Sequence, residues 1–184
     1  MVCTLRKINA ILVLIILILL LDHVIFGGLY LFRAGTGVIK PLALSLLILV
    51  AVHAVISMII TIRAEKAGMK TKARYNKENR EFWGRRVSGM FIIILAFVHA
   101  FLMSKNAQGV PRMASAPKPL RLATPLLIIS VFAHLKSNVR PLLIAMGVRN
   151  IDKKQKIATI ILYIIFIFAL SGSIFTVISH MRRK

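Results

Sequence analysis

Five histidines, His23, His53, His99, His134 and His180, carry most of the chemistry this sequence offers. The first four fall one each in four long apolar stretches, and the fifth stands beside the terminal "MRRK". An ionisable ring in hydrocarbon is costly and usually functional. One such histidine reads equally well as a helix–helix hydrogen bond; four on separate segments weaken that reading. Cys3 is the only cysteine, so no disulfide forms within the chain and thiolate metal clusters are excluded. No C-x-x-C-H is present either, which excludes covalent c-type haem by that motif. Any redox centre must be held by histidine.

The elements that would position these rings are apolar helices. Of 184 residues, 58% are hydrophobic, and the mean hydropathy is +0.82. Five segments, 8–32, 41–62, 87–104, 120–144 and 157–179, are long enough, or nearly so, to cross a hydrocarbon core of roughly 30 Å. They predict an all-α integral membrane protein, one membrane domain over 1–184. The first segment follows Arg6 and Lys7 as a signal peptide would. Its apolar core from Ile8 to Leu21 is at the upper end for a signal, and no small-residue cleavage site follows, so it is read as a retained helix.

A formal charge of +21 raises the question of nucleic acid, but its distribution points to a membrane. With the N-terminus inside, seventeen of the 26 Lys and Arg residues fall on the inner side and nine on the outer. Positive-inside bias then sets the N-terminus inside and the C-terminus outside. The basic loops read as topology determinants held to anionic lipid, or as a docking surface for a soluble partner.

The short connection "RAGTGVIK" predicts that the first two helices are antiparallel neighbours. The polar stretch 63–86 reads as an inner loop with a short interfacial helix and Trp83 at headgroup level. The outer loop 105–119, with three prolines, reads as irregular. Pro41, Pro119 and Pro125 stand at or near helix starts, where a missing N–H costs little. Pro141 is placed to end or kink the fourth helix.

Depth follows from a rise of about 1.5 Å per residue. His23 and His99, on outward-running helices, lie roughly 22 and 18 Å from the inner boundary. His53 and His134, on inward-running helices, lie roughly 18 and 21 Å from the outer one. The rings sort into an outer pair, His23 and His99, and an inner pair, His53 and His134, with roughly 10 Å between levels. Two opposed imidazole pairs in an apolar bundle are what two six-coordinate haem irons need, and the spacing would let an electron pass between them. Four histidines on one zinc would have to converge at a single depth. Small residues near the histidines or on their helices, Gly27, Gly28, Ala51, Ala54, Gly89, Ala100 and Ala133, would let a flat macrocycle approach.

The stretches "VHAVISMIITI" and "WGRRVSGMFIIILAFVHAF", with the continuation "HLKSNVRPLLIAMGV", a basic stretch and an apolar last helix, carry a resemblance. They show His-Ala-Val in the second helix, an aromatic inner loop, Arg-x-Ser-Gly, and a further histidine about ten residues later. The chain resembles the five-helix dihaem cytochrome b membrane anchor of bacterial succinate:quinone oxidoreductases and quinol:fumarate reductases. The likeness covers most of the sequence and is strongest over 52–102.

That resemblance implies two b haems, an inner one on His53 and His134 and an outer one on His23 and His99. Arg86 and Ser88 match the family's Arg and Ser/Thr at a haem propionate or quinone head; a topology anchor remains the other reading of Arg85 and Arg86. Lys136 and Arg140 either snorkel to the inner interface or pair with an inner propionate. The resemblance also implies a flavoprotein and an iron–sulfur subunit on the cytoplasmic face of a bacterial inner membrane. Electrons would pass between them and a quinone, menaquinone by expectation, with dicarboxylate chemistry carried out elsewhere and no turnover by this chain alone. Dimerisation of the whole complex follows by family only. Alternatives are a cytochrome b anchor for a hydrogenase, formate dehydrogenase or other flavin reductase, a histidine-lined transporter, and a haem-free structural anchor.

The sequence departs from the pattern in two places. Many relatives carry His-Ser near the inner start of the first helix, where this chain has "KINA", so an inner polar contact is either lost or replaced. Asp22, beside His23, orients that imidazole, accepts a quinone-linked proton, or sits protonated in the bundle. Asp22 aside, the five apolar segments hold no Asp or Glu, so a glutamate proton path has no candidate. His180 is assigned a surface role.

Overall fold

In the computed structural model the chain is described over residues 2–31, 39–71, 76–105, 112 and 115–182. The elements are α1 (Val2–Leu31), α2 (Ile39–Thr71), α3 (Asn76–Met103), the short α4 (Lys118–Arg121), α5 (Ala123–Ala145) and α6 (Ile151–Arg182). Five helical stretches are long and apolar enough to cross a membrane: Thr4–Gly27, Lys40–Lys66, Arg80–Met103, Lys118–Ala145 and Ile151–Ser179. The chain is therefore all-helical and reads as a multi-pass membrane protein. Large apolar side chains stand open along the spans, among them Ile18 at 64%, Phe97 at 60% and Phe168 at 70% exposure. That is the pattern for helices whose outward face meets lipid, since a helix hydrophobic all round is a buried or membrane helix.

The helices run further than the apolar segments. α2 continues through the basic residues to Thr71 and α3 begins at Asn76, so most of the stretch read as an inner loop is helical. Ala, Glu, Lys and Arg are good helix formers, and adding residues to an existing helix is far easier than nucleating one. The expected separate interfacial helix is therefore absent from the described residues: Trp83 lies within α3, its ring edge-on to Phe82 at 5.7 Å.

Two prolines act differently from each other. The fourth apolar helix, expected to be continuous from 120, is divided into α4 and α5 at Leu122. Pro125 has no N–H to give the Arg121 carbonyl, and its ring crowds that carbonyl. The α-helical ladder resumes with Leu126 N–H on Leu122 O, at 3.0 Å. Pro141, by contrast, does not end α5, which continues to Ala145. The stop comes at Gly147, whose φ of +68° suits glycine. There Gly147 N–H bonds Ile144 O and Val148 N–H bonds Leu143 O, both at 3.0 Å, the Schellman pattern of a helix C-terminus.

Packing divides the chain into two units, Met1–Glu81 with Arg140–Ile151, and Phe82–Val139 with Asp152–Lys184. In the first, α1 and α2 pack together. α1 is about 45 Å long, whereas the eight steps from Leu31 to Ile39 reach at most about 29 Å. The pair must therefore be antiparallel, as expected from the short connection. Ala10 and Leu46 are its buried apolar residues. In the second unit, Leu102, Ala116, Ala123 and Val177 form a buried cluster, with Leu95, Val98, Met103 and Leu120 against it. Arg121 is fully buried beside them, its Nε donating to Ala116 O at 2.9 Å. Residues 32–38, 72–75, 106–111 and 113–114 lie outside the described residues, and with them most of "RAGTGVIK", part of the inner loop and most of the outer loop. So do the surroundings of Gly28 and the side chain of His180.

Candidate functional site

All four membrane histidines are half-buried, and His53, His99 and His134 each meet a polar side chain on a neighbouring helix. In the first unit, His53 on α2 has its Nδ1 3.0 Å from Asn9 Oδ1 on α1. An amide oxygen only accepts, so Nδ1 carries the proton and the neutral ring keeps its lone pair on Nε2. In the second unit, His134 on α5 has its Nδ1 3.0 Å from Ser88 Oγ on α3. The Ser88 hydroxyl donates to Arg85 O at 3.2 Å, which makes its oxygen the acceptor for the His134 Nδ1–H. Both rings thus hold the same tautomer, the one a metal-binding imidazole adopts when its other nitrogen donates to an outer partner. His99 on α3 contacts Thr124 Oγ1 on α5 through its Nδ1, also at 3.0 Å.

Gly89 explains how α3 and α5 come close at the lower of these contacts. A Cβ there would stand 3.4 Å from His134 Cε1 and 3.7 Å from Nδ1, at the near edge of ordinary van der Waals contact. Its role is the close approach of backbone to an imidazole.

The contacts also set a register. Ser88 pairs with His134 and His99 with Thr124, so numbering rises on α3 as it falls on α5 and the helices are antiparallel. Eleven residues of α3 and ten of α5 separate the two contacts, giving levels roughly 15 Å apart. In the first unit, His23 lies fourteen residues beyond Asn9 on α1, an axial rise of roughly 21 Å. Both exceed the roughly 10 Å obtained by counting from the ends of the apolar runs. That count began the first helix at Ile8 and put Asn9 at the boundary; the bond to His53 instead puts Asn9 at the level of that histidine. Among the described residues no three His, Cys, Asp or Glu side chains come together as a metal-ion cluster.

The cations separate. Arg86 is half-buried with its guanidinium 4.6 Å from the centre of the Phe82 ring. Its buried Nε has no hydrogen-bond partner among the described residues. Lys136 donates from Nζ to Tyr163 Oη at 2.7 Å and lies over the Tyr163 and Phe132 rings at 5.2 and 5.9 Å. Phe132 in turn stacks on Phe166 at 4.2 Å. Lys136, itself exposed, is thus tied to α6 through Tyr163. Arg140, one turn further along α5, is exposed. Asp22 is half-buried next to His23 on α1.

Sequence reasoning did not assign Asn9, Thr124 and Tyr163 to the site. Asn9 stood out only as a departure from the pattern the sequence resembles; in the structure its amide oxygen meets His53. Thr124 had a usable signal: in an antiparallel pair, contacting positions keep a nearly constant sum, and the sum for Ser88 and His134 leads from His99 to Ala123, next to Thr124. No protein-family model matches the chain, and no curated protein or solved structure matches it.

Proposed function

We propose that the chain is a dihaem cytochrome b membrane anchor that carries electrons between a docked dehydrogenase or reductase and membrane quinone. The observation that carries the reading is the pair of polar-bonded imidazole levels on α3 and α5, His134 with Ser88 and His99 with Thr124. An apolar helix surface needs neither a histidine nor a hydroxyl opposite it, and both recur about 15 Å apart. The residues present fit the group. His53 and His134 each engage Nδ1, with Asn9 and Ser88, the way an outer partner orients a metal-binding imidazole, Gly89 leaves room beside one ring, and the buried Arg86 Nε suits a propionate or quinone oxygen. Bound haem would supply one-electron chemistry.

The chain's own part is to hold. His53 and His134 would ligate the inner haem and His23 and His99 the outer one, a pairing that rests on sequence depth. Arg86 and Ser88 would hold carboxylate or quinone oxygen, and the apolar helices would exclude water. Lys136 would act through Tyr163, and Arg140 would serve an inner propionate or the lipid interface. The resemblance extends the proposal to a succinate- or fumarate-active flavoprotein and an iron–sulfur subunit on the cytoplasmic face of a bacterial inner membrane, menaquinone as electron partner, and N-terminus inside with C-terminus outside.

The test is a set of reduced-minus-oxidised spectra of membranes bearing single histidine variants. His53→Ala and His134→Ala should each remove one and the same haem component, and His23→Ala and His99→Ala the other. Loss of the same component from His23→Ala and His53→Ala would overturn the pairing, and spectra without haem would overturn the function.

A further inference from the structure

The hydrogen bond between Asn9 and His53 joins one of the two places where this chain departs from the pattern it resembles to one of the candidate ligands. Asn9 stands on α1, a helix that enters the site otherwise only through His23, fourteen residues further on. Its Oδ1 is 3.0 Å from His53 Nδ1, and α1 and α2 pack directly, with Ala10 buried beside the contact. An amide in apolar surroundings is stable only when bonded, so its presence at the ring requires that partner.

We propose that Asn9 is a positioning residue for the inner redox site. Its Oδ1 accepts the hydrogen bond of His53 Nδ1–H, fixes the ring with its lone pair on Nε2, and raises the basicity of that nitrogen toward an iron. The inference rests on the dihaem reading. A more basic axial ligand favours the oxidised metal, and an outer hydrogen bond is one of the protein's means of setting a haem potential. Removing the acceptor should therefore make the inner haem easier to reduce, whereas a stronger acceptor should make it harder. Ser88 serves His134 in the same way, through the oxygen that its bond to the Arg85 carbonyl leaves as an acceptor.

The experiment is a redox titration of haem absorbance on membranes bearing the full chain, the inner component being the one lost in His53→Ala. In Asn9→Leu, the reduced-to-oxidised ratio of that component at a fixed potential should rise about tenfold, a shift of about 59 mV for one electron. The other component should stay in place. Asn9→Asp should move the inner component to lower potential. An unmoved inner component in Asn9→Leu, or movement in the same direction in both variants, would mean that Asn9 only packs and would overturn the proposal. If Asn9→Leu does not accumulate, Asn9→Asp decides alone: a fall in potential supports the proposal and no fall overturns it. Wild-type membranes without haem would overturn the dihaem reading and this inference together. Two wild-type haems with an indifferent Asn9 would overturn this inference alone.

Discussion

At the residue scale, the proposed function depends on what holds each imidazole rather than on the imidazoles alone. Ser88 and Thr124 each meet one ring nitrogen at 3.0 Å, at different levels of the same helix pair. On the dihaem proposal, Ser88→Ala should shift only the inner haem component and Thr124→Val only the outer one, each read by redox titration of the two components. A shift of both components by either variant would contradict separate levels. Gly89 gives a steric prediction. A valine there would drive a branched side chain into a ring already 3.4 Å from the Cβ position. Gly89→Val should cost about 1–3 kcal/mol, the usual range for overpacking. It should also remove the inner component from the spectrum while the outer one persists. The histidines were legible because an ionisable side chain in an apolar run stands out in one dimension. Their partners were not: Asn9 and Thr124 are ordinary residues until another helix is laid beside them, and only the register of that packing makes them significant.

At the element scale, hydropathy located all five spans but misplaced their ends. It reports where lipid stops, whereas a helix stops where its backbone bonds are interrupted or capped. α2 and α3 therefore continue through charged residues that are good helix formers. Pro125, inside the apolar run, instead breaks the ladder at Leu122. Pro141 shows the limit of reading prolines alone, since α5 passes it and ends at the Gly147 cap. Gly147→Ala should destabilise the chain by about 1–2 kcal/mol, the cost of holding an L-residue in the left-handed region. Thermal unfolding in detergent would register this as a lower midpoint. An unchanged midpoint would mean that the cap contributes little to the described fold. The same error in helix ends compressed the expected distance between histidine levels, because each depth had been counted from the end of an apolar run.

At the scale of the whole molecule, the distribution of charge and of exposed apolar surface makes a separate set of claims. Seventeen of 26 basic residues on one side predict an inward N-terminus and an outward C-terminus. Reporter fusions should show a C-terminal alkaline phosphatase active and an N-terminal one inactive; the reverse pattern would invert every depth assigned to the histidines. If the chain anchors a larger oxidoreductase, gentle purification from native membranes should bring with it a flavin-containing and an iron–sulfur-containing chain. Partners carrying nickel or molybdenum would instead favour the hydrogenase or formate dehydrogenase alternative. Composition was enough for the membrane class, and four placed histidines for a candidate chemistry. The identity of the partners was never in the sequence, since the inner basic residues suit lipid and protein alike. The most direct test of the central claim is a pyridine haemochrome determination on the purified full chain, expressed with haem available. About two b haems per polypeptide is the predicted result, and a chain that binds none would contradict the account.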